Sequence, residues 1–145
     1  MADKLTDKEK MFLVYGKKSI ITEEEIVLTA KLQMISAKYH NVDWNLCFDC
    51  CKKRAESDAR VFVWYILHNE YGFSMNKLAF LYGRTQRCIN RGISCISYLI
   101  EKQSPYKKKY YKIKDGLNKD ISRNELQVAI NFLYDRRKDL TLRCA

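Results

Sequence analysis

The stretch FSMNKLAFLYGRTQRCINRGISCISYLI, residues 73–100, predicts two helices joined by a tight turn. Ser74 is a favourable N-cap for the first helix, and Tyr82-Gly83-Arg84 places a glycine where that helix has to end. The second helix begins near Thr85 and is longer than the first. A short helix, a turn and a longer helix are typical of a helix-turn-helix, in which the second helix enters the major groove of DNA.

The two sides of the second helix differ in chemistry. Its apolar stripe consists of Ile89, Gly92, Ile93, Ile96, Leu99 and Ile100. The opposite side carries Gln86, Arg87, Asn90 and Arg91. Arginine can form two hydrogen bonds with guanine, and asparagine or glutamine can do the same with adenine. An ordinary helical hairpin with a solvated polar side has the same pattern, so both interpretations stay open at this point.

The composition favours a helical protein that attracts polyanions. A chain of 145 residues with 47% hydrophobic residues can form one domain with a core and tails. Only one proline and five glycines interrupt it, which favours an all-α fold of six or seven helices. The 27 lysines and arginines exceed the 17 acidic residues and give a net charge of +10. Such a charge attracts nucleic acid, although an anionic membrane surface or an acidic protein would also respond.

The cysteines and the apolar runs indicate the compartment. Six cysteines without a secretory signal segment suggest free thiols in a reducing environment. The longest apolar run, Val61 to Leu67, is too short to span a bilayer. We therefore expect a cytoplasmic protein, associated with the nucleoid or its equivalent in an infected host cell, and no membrane contact.

The pattern divides the chain into three regions. They are an N-terminal segment with a short helix (1–20), a helix-turn-helix domain (21–102), and a basic linker with a C-terminal helix that packs on the domain (103–145). Thr22 and Glu25 form a capping box that starts the first helix of the domain. The run Val61–Leu67 has strand propensity, but its flanks extend the pattern past strand length. We therefore expect a buried helix from about Glu56 to Tyr71.

Two basic segments accompany the helical pair. Lys52, Lys53 and Arg54 are predicted to form a basic loop before the buried helix. The segment Tyr106–Lys112 combines tyrosines with lysines, including Lys107, Lys108 and Lys109. It is interpreted either as an auxiliary nucleic-acid contact, in which lysine neutralises phosphates and tyrosine stacks, or as a solvated linker.

Several short motifs carry a family resemblance. They are Ala37-Lys38-Tyr39, Val42-Asp43, Lys52-Lys53-Arg54, Ala59-Arg60 with Tyr65-Ile66-Leu67, Ser74-Met75-Asn76-Lys77-Leu78-Ala79 and Tyr82-Gly83-Arg84. Residues 32–102 resemble the C-terminal DNA-binding domain of the bacterial replication initiator DnaA. The resemblance implies a Trp-repressor-like helix-turn-helix bundle with additional N- and C-terminal helices. It also implies a non-enzymatic protein that binds double-stranded DNA in replication or transcription control of a bacterium, phage or mobile element.

The chain departs from this family in two places. Thr85-Gln86-Arg87-Cys88-Ile89 stands where the family has Asp-His-Ser/Thr-Thr-Val, so the resemblance implies a different base preference. Gly16-Lys17-Lys18-Ser19 lacks the upstream glycine of a nucleotide-binding P-loop, so the ATPase domain is not expected. In the family the basic loop reaches the minor groove, and Lys52 and Arg54 are at the matching positions. The expected DNA contacts are Lys52, Lys53, Arg54, Arg84, Thr85, Gln86, Arg87, Asn90, Arg91, Lys107, Lys108 and Lys109.

Other chemistries have less support in the sequence. Cys47-x-x-Cys50-Cys51 has half the spacing of a zinc site, but the remaining cysteines form no second pair. His68 has no Ser, Cys or Asp partner at a recognisable spacing. We therefore expect no catalytic site, metal, cofactor or small-molecule substrate. The competing interpretation is a protein-interaction module on a helix-turn-helix fold that has lost sequence-specific DNA binding. RNA is a third ligand that fits the charge.

Overall fold

The computed structural model describes residues 21–48, 53–117 and 123–144, with side chains of the last range described to Asp135. Every regular element within these ranges is helical, which confirms the expected all-α class. The elements are α1 (Glu23–Tyr39), a 3₁₀ helix (Trp44–Phe48), α2 (Arg54–Tyr71), α3 (Met75–Tyr82), α4 (Gln86–Lys102), α5 (Ser104–Gly116) and α6 (Arg123–Cys144). The short helix expected within residues 1–20 lies outside the described residues.

Helix α1 begins as its sequence predicts. The Glu25 backbone N–H donates to Thr22 Oγ1 over 3.1 Å, and the Thr22 N–H donates to Glu25 Oε1 over 2.9 Å. This reciprocal capping box satisfies two backbone donors that the first turn would otherwise leave unpaired. The buried side of α1, which includes Ile26 and Leu32, packs against α2, α5 and α6.

Helix α2 is the centre of the core. Phe62, Val63 and Leu67 are buried, so the apolar run with strand propensity is helical because it belongs to an 18-residue helix with buried sides toward α1 and α4. Gly72 ends the helix with φ at 72°, a left-handed conformation that glycine adopts without steric cost. His68 Nδ1–H donates to the Phe73 carbonyl oxygen over 2.7 Å, which gives this histidine a structural partner.

The turn between α3 and α4 follows the sequence prediction closely. Ser74 caps α3 by accepting from the Lys77 N–H over 3.2 Å, and Gly83 ends it with φ at 63°. Thr85 then caps α4 by accepting from the Cys88 N–H over 3.1 Å. The expected apolar stripe of α4 is confirmed, because Ile89, Ile93, Ile96 and Ile100 are all buried. The pair is therefore a short and a long helix joined by a three-residue connection.

The basic segment after α4 is a helix and not the expected linker. Pro105 lies in the first turn of α5, where a missing backbone N–H costs nothing, so it begins this helix as well as ending α4. Tyr106, Tyr110 and Ile113 recur at helical spacing, and the last two are buried. Gly116 brings α5 close to α1, since a Cβ there would lie 2.7 Å from Ile35 Cγ2. The lysines masked this apolar stripe in the sequence.

Helix α6 packs on the domain as expected, against α1 and α3. Ala129 and Leu133 are buried, and the Phe132 ring meets Trp44 edge-on at 5.4 Å. The helix runs to Cys144, and no glycine or proline interrupts it between Arg123 and that residue. No helix in the described part of the chain is long and apolar enough to cross a membrane.

Candidate nucleic-acid interface

One side of the first two turns of α4 is polar and exposed. We call Gln86, Arg87, Asn90 and Arg91 the α4 face; all four side chains are exposed. The side chains of Arg87, Asn90 and Arg91 form no hydrogen bond or ion pair with any other residue that the structure describes. Their donors and positive charge are therefore available to a ligand.

The opposite side of α4 fixes the position of this face. Gly92 lies against Trp64 of α2, and a Cβ at Gly92 would be 2.8 Å from Trp64 Cζ3. Trp64 in turn meets the Tyr82 ring edge-on at 5.4 Å, and the Tyr82 hydroxyl donates to Gln33 Oε1 of α1. Glycine at position 92 is thus required by the close approach of two helices, and α4 is held on a buried aromatic layer.

Gln86 has a partner that the sequence analysis missed. Its Nε2 donates to Oδ1 of Asn76, in the first turn of α3. This bond ties the amide to the neighbouring helix and leaves the Gln86 carbonyl oxygen and one N–H unused. An amide with one acceptor and one donor available matches the edge of adenine. Only the motif Ser74–Ala79 could have indicated Asn76, and it gave no reason to pair it with Gln86.

Arg54 connects the start of α2 to α5. The sequence predicts it in the basic loop, whereas the structure has it as the first residue of α2, with a side chain that is 81% exposed. Its Nη2 donates to the Tyr106 hydroxyl of α5 over 3.4 Å, and its Nε lies 3.8 Å from Asp58 Oδ2. The bond to Tyr106 first, and then the charge of Asp58, raise the pKa of Arg54, and Cys95 of α4 is close enough to add to this effect. The Arg54 side chain therefore joins the starts of α2 and α5, and α4 packs against both helices.

No family model, curated protein or solved structure matches this chain.

The other DNA contacts predicted around the turn and the basic loop differ in exposure and in the hydrogen bonds that they already form. The Thr85 oxygen caps α4, so its hydroxyl proton is what it can still donate. Arg84 is half-buried, and its backbone N–H bonds the Ala79 carbonyl oxygen over 2.8 Å. Lys53 is the exposed N-cap of α2 without a side-chain cap bond, and Lys52 lies outside the described residues. The α4 face and Arg54 are thus the most accessible of these groups.

The lysines predicted in the basic segment lie on the first two turns of α5. Lys107, Lys108 and Lys109 are exposed, and Lys109 Nζ lies 5.9 Å from the centroid of the Tyr106 ring. Tyr106 also stacks on Phe62 of α2 at 6.2 Å, which seats the beginning of α5. The contact between Tyr106 and Arg54 brings these lysines toward the basic start of α2, a proximity that the sequence did not predict.

The cysteine motif has a different environment from the α4 face. Cys47 is completely buried with Ala37 and Ala59, and its Sγ lies 3.7 Å from the Asp43 carbonyl oxygen. Cys47 therefore packs as a small apolar residue of the core. Cys50 and Cys51 lie outside the described residues. Among the residues that are described, no three His, Cys, Asp or Glu side chains form a cluster that could hold a metal.

Proposed function

We propose that this protein binds double-stranded DNA without catalysing a reaction. In this proposal α3 and α4 form the helix-turn-helix, and the α4 face enters the major groove. Arg54 and Lys53, with Lys52, approach the adjacent groove or its phosphates. The observation that carries the proposal is the exposed α4 face, whose arginines have no acidic partner within the described ranges.

The chemistry of the α4 face supports sequence-dependent binding. Arg87 and Arg91 can each pair with guanine, while Gln86 and Asn90 can pair with adenine. Each such two-bond pair discriminates against the wrong base by about 1–3 kcal/mol. The Asn76 bond supports Gln86 as a base-reading residue, because it restricts the amide before DNA arrives.

On the resemblance of residues 32–102 to the DNA-binding domain of DnaA, we propose a biological setting for this binding. It is the control of replication or transcription of a bacterium, phage or mobile element. Binding of duplex DNA at a base sequence different from that of the family fits the substitutions at Thr85, Gln86 and Arg87. The two helices and their caps support the helix-turn-helix part of this proposal.

The test is a selection of bound duplexes from a random pool, followed by titration of variants. We expect an enriched motif. Arg87→Ala should weaken binding to it by about 5- to 150-fold, which corresponds to about 1–3 kcal/mol, and relax one position of the motif. Arg123→Ala removes an equally exposed arginine from α6 and serves as the matched control. If Arg87→Ala and Arg91→Ala both bind like the parent, the α4 face does not read DNA.

A protein partner is the second candidate function, and one observation favours it. Tyr98 is 61% exposed on α4, and exposed Ser94 and Cys95 precede it, so this half of the helix offers an uncharged surface. Exposed tyrosines are enriched in protein interfaces. In that case no duplex is retained at moderate salt, and Tyr98→Ala, rather than Arg87→Ala, disrupts the partner contact.

A further inference from the structure

The exposed side of α5 concentrates positive charge where a helix tolerates it least. We call Lys107, Lys108, Tyr111 and Lys112 the α5 face; all four are exposed. The helix contains five lysines and a single acidic residue, Asp115. Lysines near the positive N-terminal end of the helix dipole, and lysines three or four residues apart, both reduce helix stability.

The fold does not neutralise this charge. Lys114 pairs with Glu70 of α2 over 3.1 Å, but Lys107, Lys108 and Lys112 form no ion pair with any residue described by the structure. The buried residues Tyr110 and Ile113 hold the other side of α5 on the core. Within the described residues, no ion pair therefore explains the lysines of the α5 face.

The composition of the α5 face determines what it can bind. Lysine ammonium groups and a tyrosine hydroxyl suit phosphate oxygens, and the face lacks the planar groups of Arg, Asn and Gln that pair with base edges in a fixed geometry. It also lacks an apolar strip for insertion into a membrane, because the apolar residues of α5 face the core. The α5 face therefore suits the phosphate backbone of a nucleic acid, which it would bind without regard to base sequence.

Its position relative to Arg54 indicates which phosphates these are. The Arg54–Tyr106 bond joins the start of α5 to the start of α2, and α4 packs against both of these helices. From Lys107 to Lys112 the helix rises by about 7.5 Å, which is comparable to the spacing of neighbouring phosphates along one strand of a duplex. A duplex seated on the α4 face and Arg54 would continue toward α5.

We propose that the α5 face binds the sugar-phosphate backbone of the same duplex, beyond the bases that the α4 face reads. This inference rests on the proposed function. It assigns α5 the sequence-independent part of the binding and the α4 face the sequence-dependent part.

The experiment compares two triple variants of the full chain on the selected motif and on a duplex of random sequence. Lys107→Gln/Lys108→Gln/Lys112→Gln removes three charges from α5. Lys31→Gln/Lys38→Gln/Arg123→Gln removes three charges from α1 and α6 as the control. We expect the α5 variant to lose affinity for both duplexes while it still prefers the same motif as the parent. The slope of the logarithm of its binding constant against the logarithm of salt concentration should be less steep by about 2.7. Between about 50 and about 200 mM salt, its affinity should then fall about 40-fold less than that of the parent.

Three outcomes separate this inference from the proposed function. If the α5 variant keeps the parent's affinity and slope while Arg87→Ala still loses the motif, the α5 face does not contact DNA and the proposed function stands. If the α5 variant loses only RNA or single-stranded DNA, the ligand class is wrong. If parent, Arg87→Ala and α5 variants all fail to bind duplex, both proposals are overturned. A melting temperature of the α5 variant at or above that of the parent verifies that it is folded.

Discussion

Helices α1 and α5 begin in opposite ways. The first turn of α1 carries Glu23, Glu24 and Glu25 and a complete capping box. The negative charges of these residues interact favourably with the positive end of the helix dipole. The first two turns of α5 carry Lys107–Lys109, and its N-cap Gln103 makes no side-chain cap bond. Helix α1 is stabilised by its own sequence, whereas α5 depends on what it packs against. Surface charge that works against its own helix indicates a role outside the fold.

The largest expected effect tests whether α5 depends on the core. Ile113 is completely buried, so Ile113→Ala should destabilise the protein by about 2–4 kcal/mol through lost burial and the cavity left behind. Urea unfolding followed by circular dichroism measures the loss. Ile113→Val is the control and should cost about 0.5–1.5 kcal/mol. A loss below that of the valine variant would mean that α5 does not rely on this contact, and the contrast with α1 would disappear.

A smaller effect separates the two helix starts directly. Thr22→Ala removes the capping box and should cost about 1 kcal/mol, while Thr22→Ser should preserve it. Gln103 has φ of −124° and ψ of 117°, an extended conformation suitable for an N-cap. Gln103→Ser should therefore add a cap that α5 lacks and raise stability by about 0.5 kcal/mol. Urea unfolding measures both changes. If Thr22→Ala and Gln103→Ser change the free energy of unfolding by equally small amounts, the contrast between the starts of α1 and α5 is contradicted.

The same contrast explains what the sequence could predict. Thr22, Ser74 and Gly83 are local signals, each acting within one turn of the chain, so the start of α1 and both ends of α3 are predicted correctly. Helix α5 lacks a cap signal, and lysines surround its apolar stripe, so the sequence suggested a linker. Its helicity depends on contacts such as Tyr110 Oη to Glu70 Oε2 at 2.8 Å, across 40 residues. Such contacts leave no pattern in neighbouring residues.

The candidate interface also combines features that the sequence predicts with contacts that it does not predict. Helical spacing placed Arg87, Asn90 and Arg91 on one exposed side, and the structure has all three there. It could not reveal that Asn76 holds Gln86 or that Arg54 reaches Tyr106, because each pair joins different helices. Spacing predicts which side chains share a face, whereas the positions of the faces relative to one another come from packing.

The smallest expected effect lies where α1 and α5 meet. His40, after the last turn of α1, donates from Nδ1 to the Ser36 carbonyl oxygen over 2.8 Å and packs on Phe62. Burial is the main cause that lowers its pKa below the usual 6.5, and the charge of Lys109 adds to it, while the Ser36 bond and the Asp58 charge act against it. The folded state therefore binds fewer protons than the unfolded state between the two pKa values.

The sign of the pH dependence follows from that lowered pKa. The stability contributed by neutral His40 is present above the unfolded pKa and is lost as the pH falls from there to the folded pKa. Urea unfolding between about pH 7.5 and about pH 5.5 should show this loss, and His40→Gln should reduce it. Lys109→Gln should raise the His40 pKa toward its usual value, as imidazole NMR titration measures, because it removes one of the charges that oppose protonation. A His40 pKa that stays the same in Lys109→Gln would show that the charge of Lys109 on α5 does not act on the end of α1.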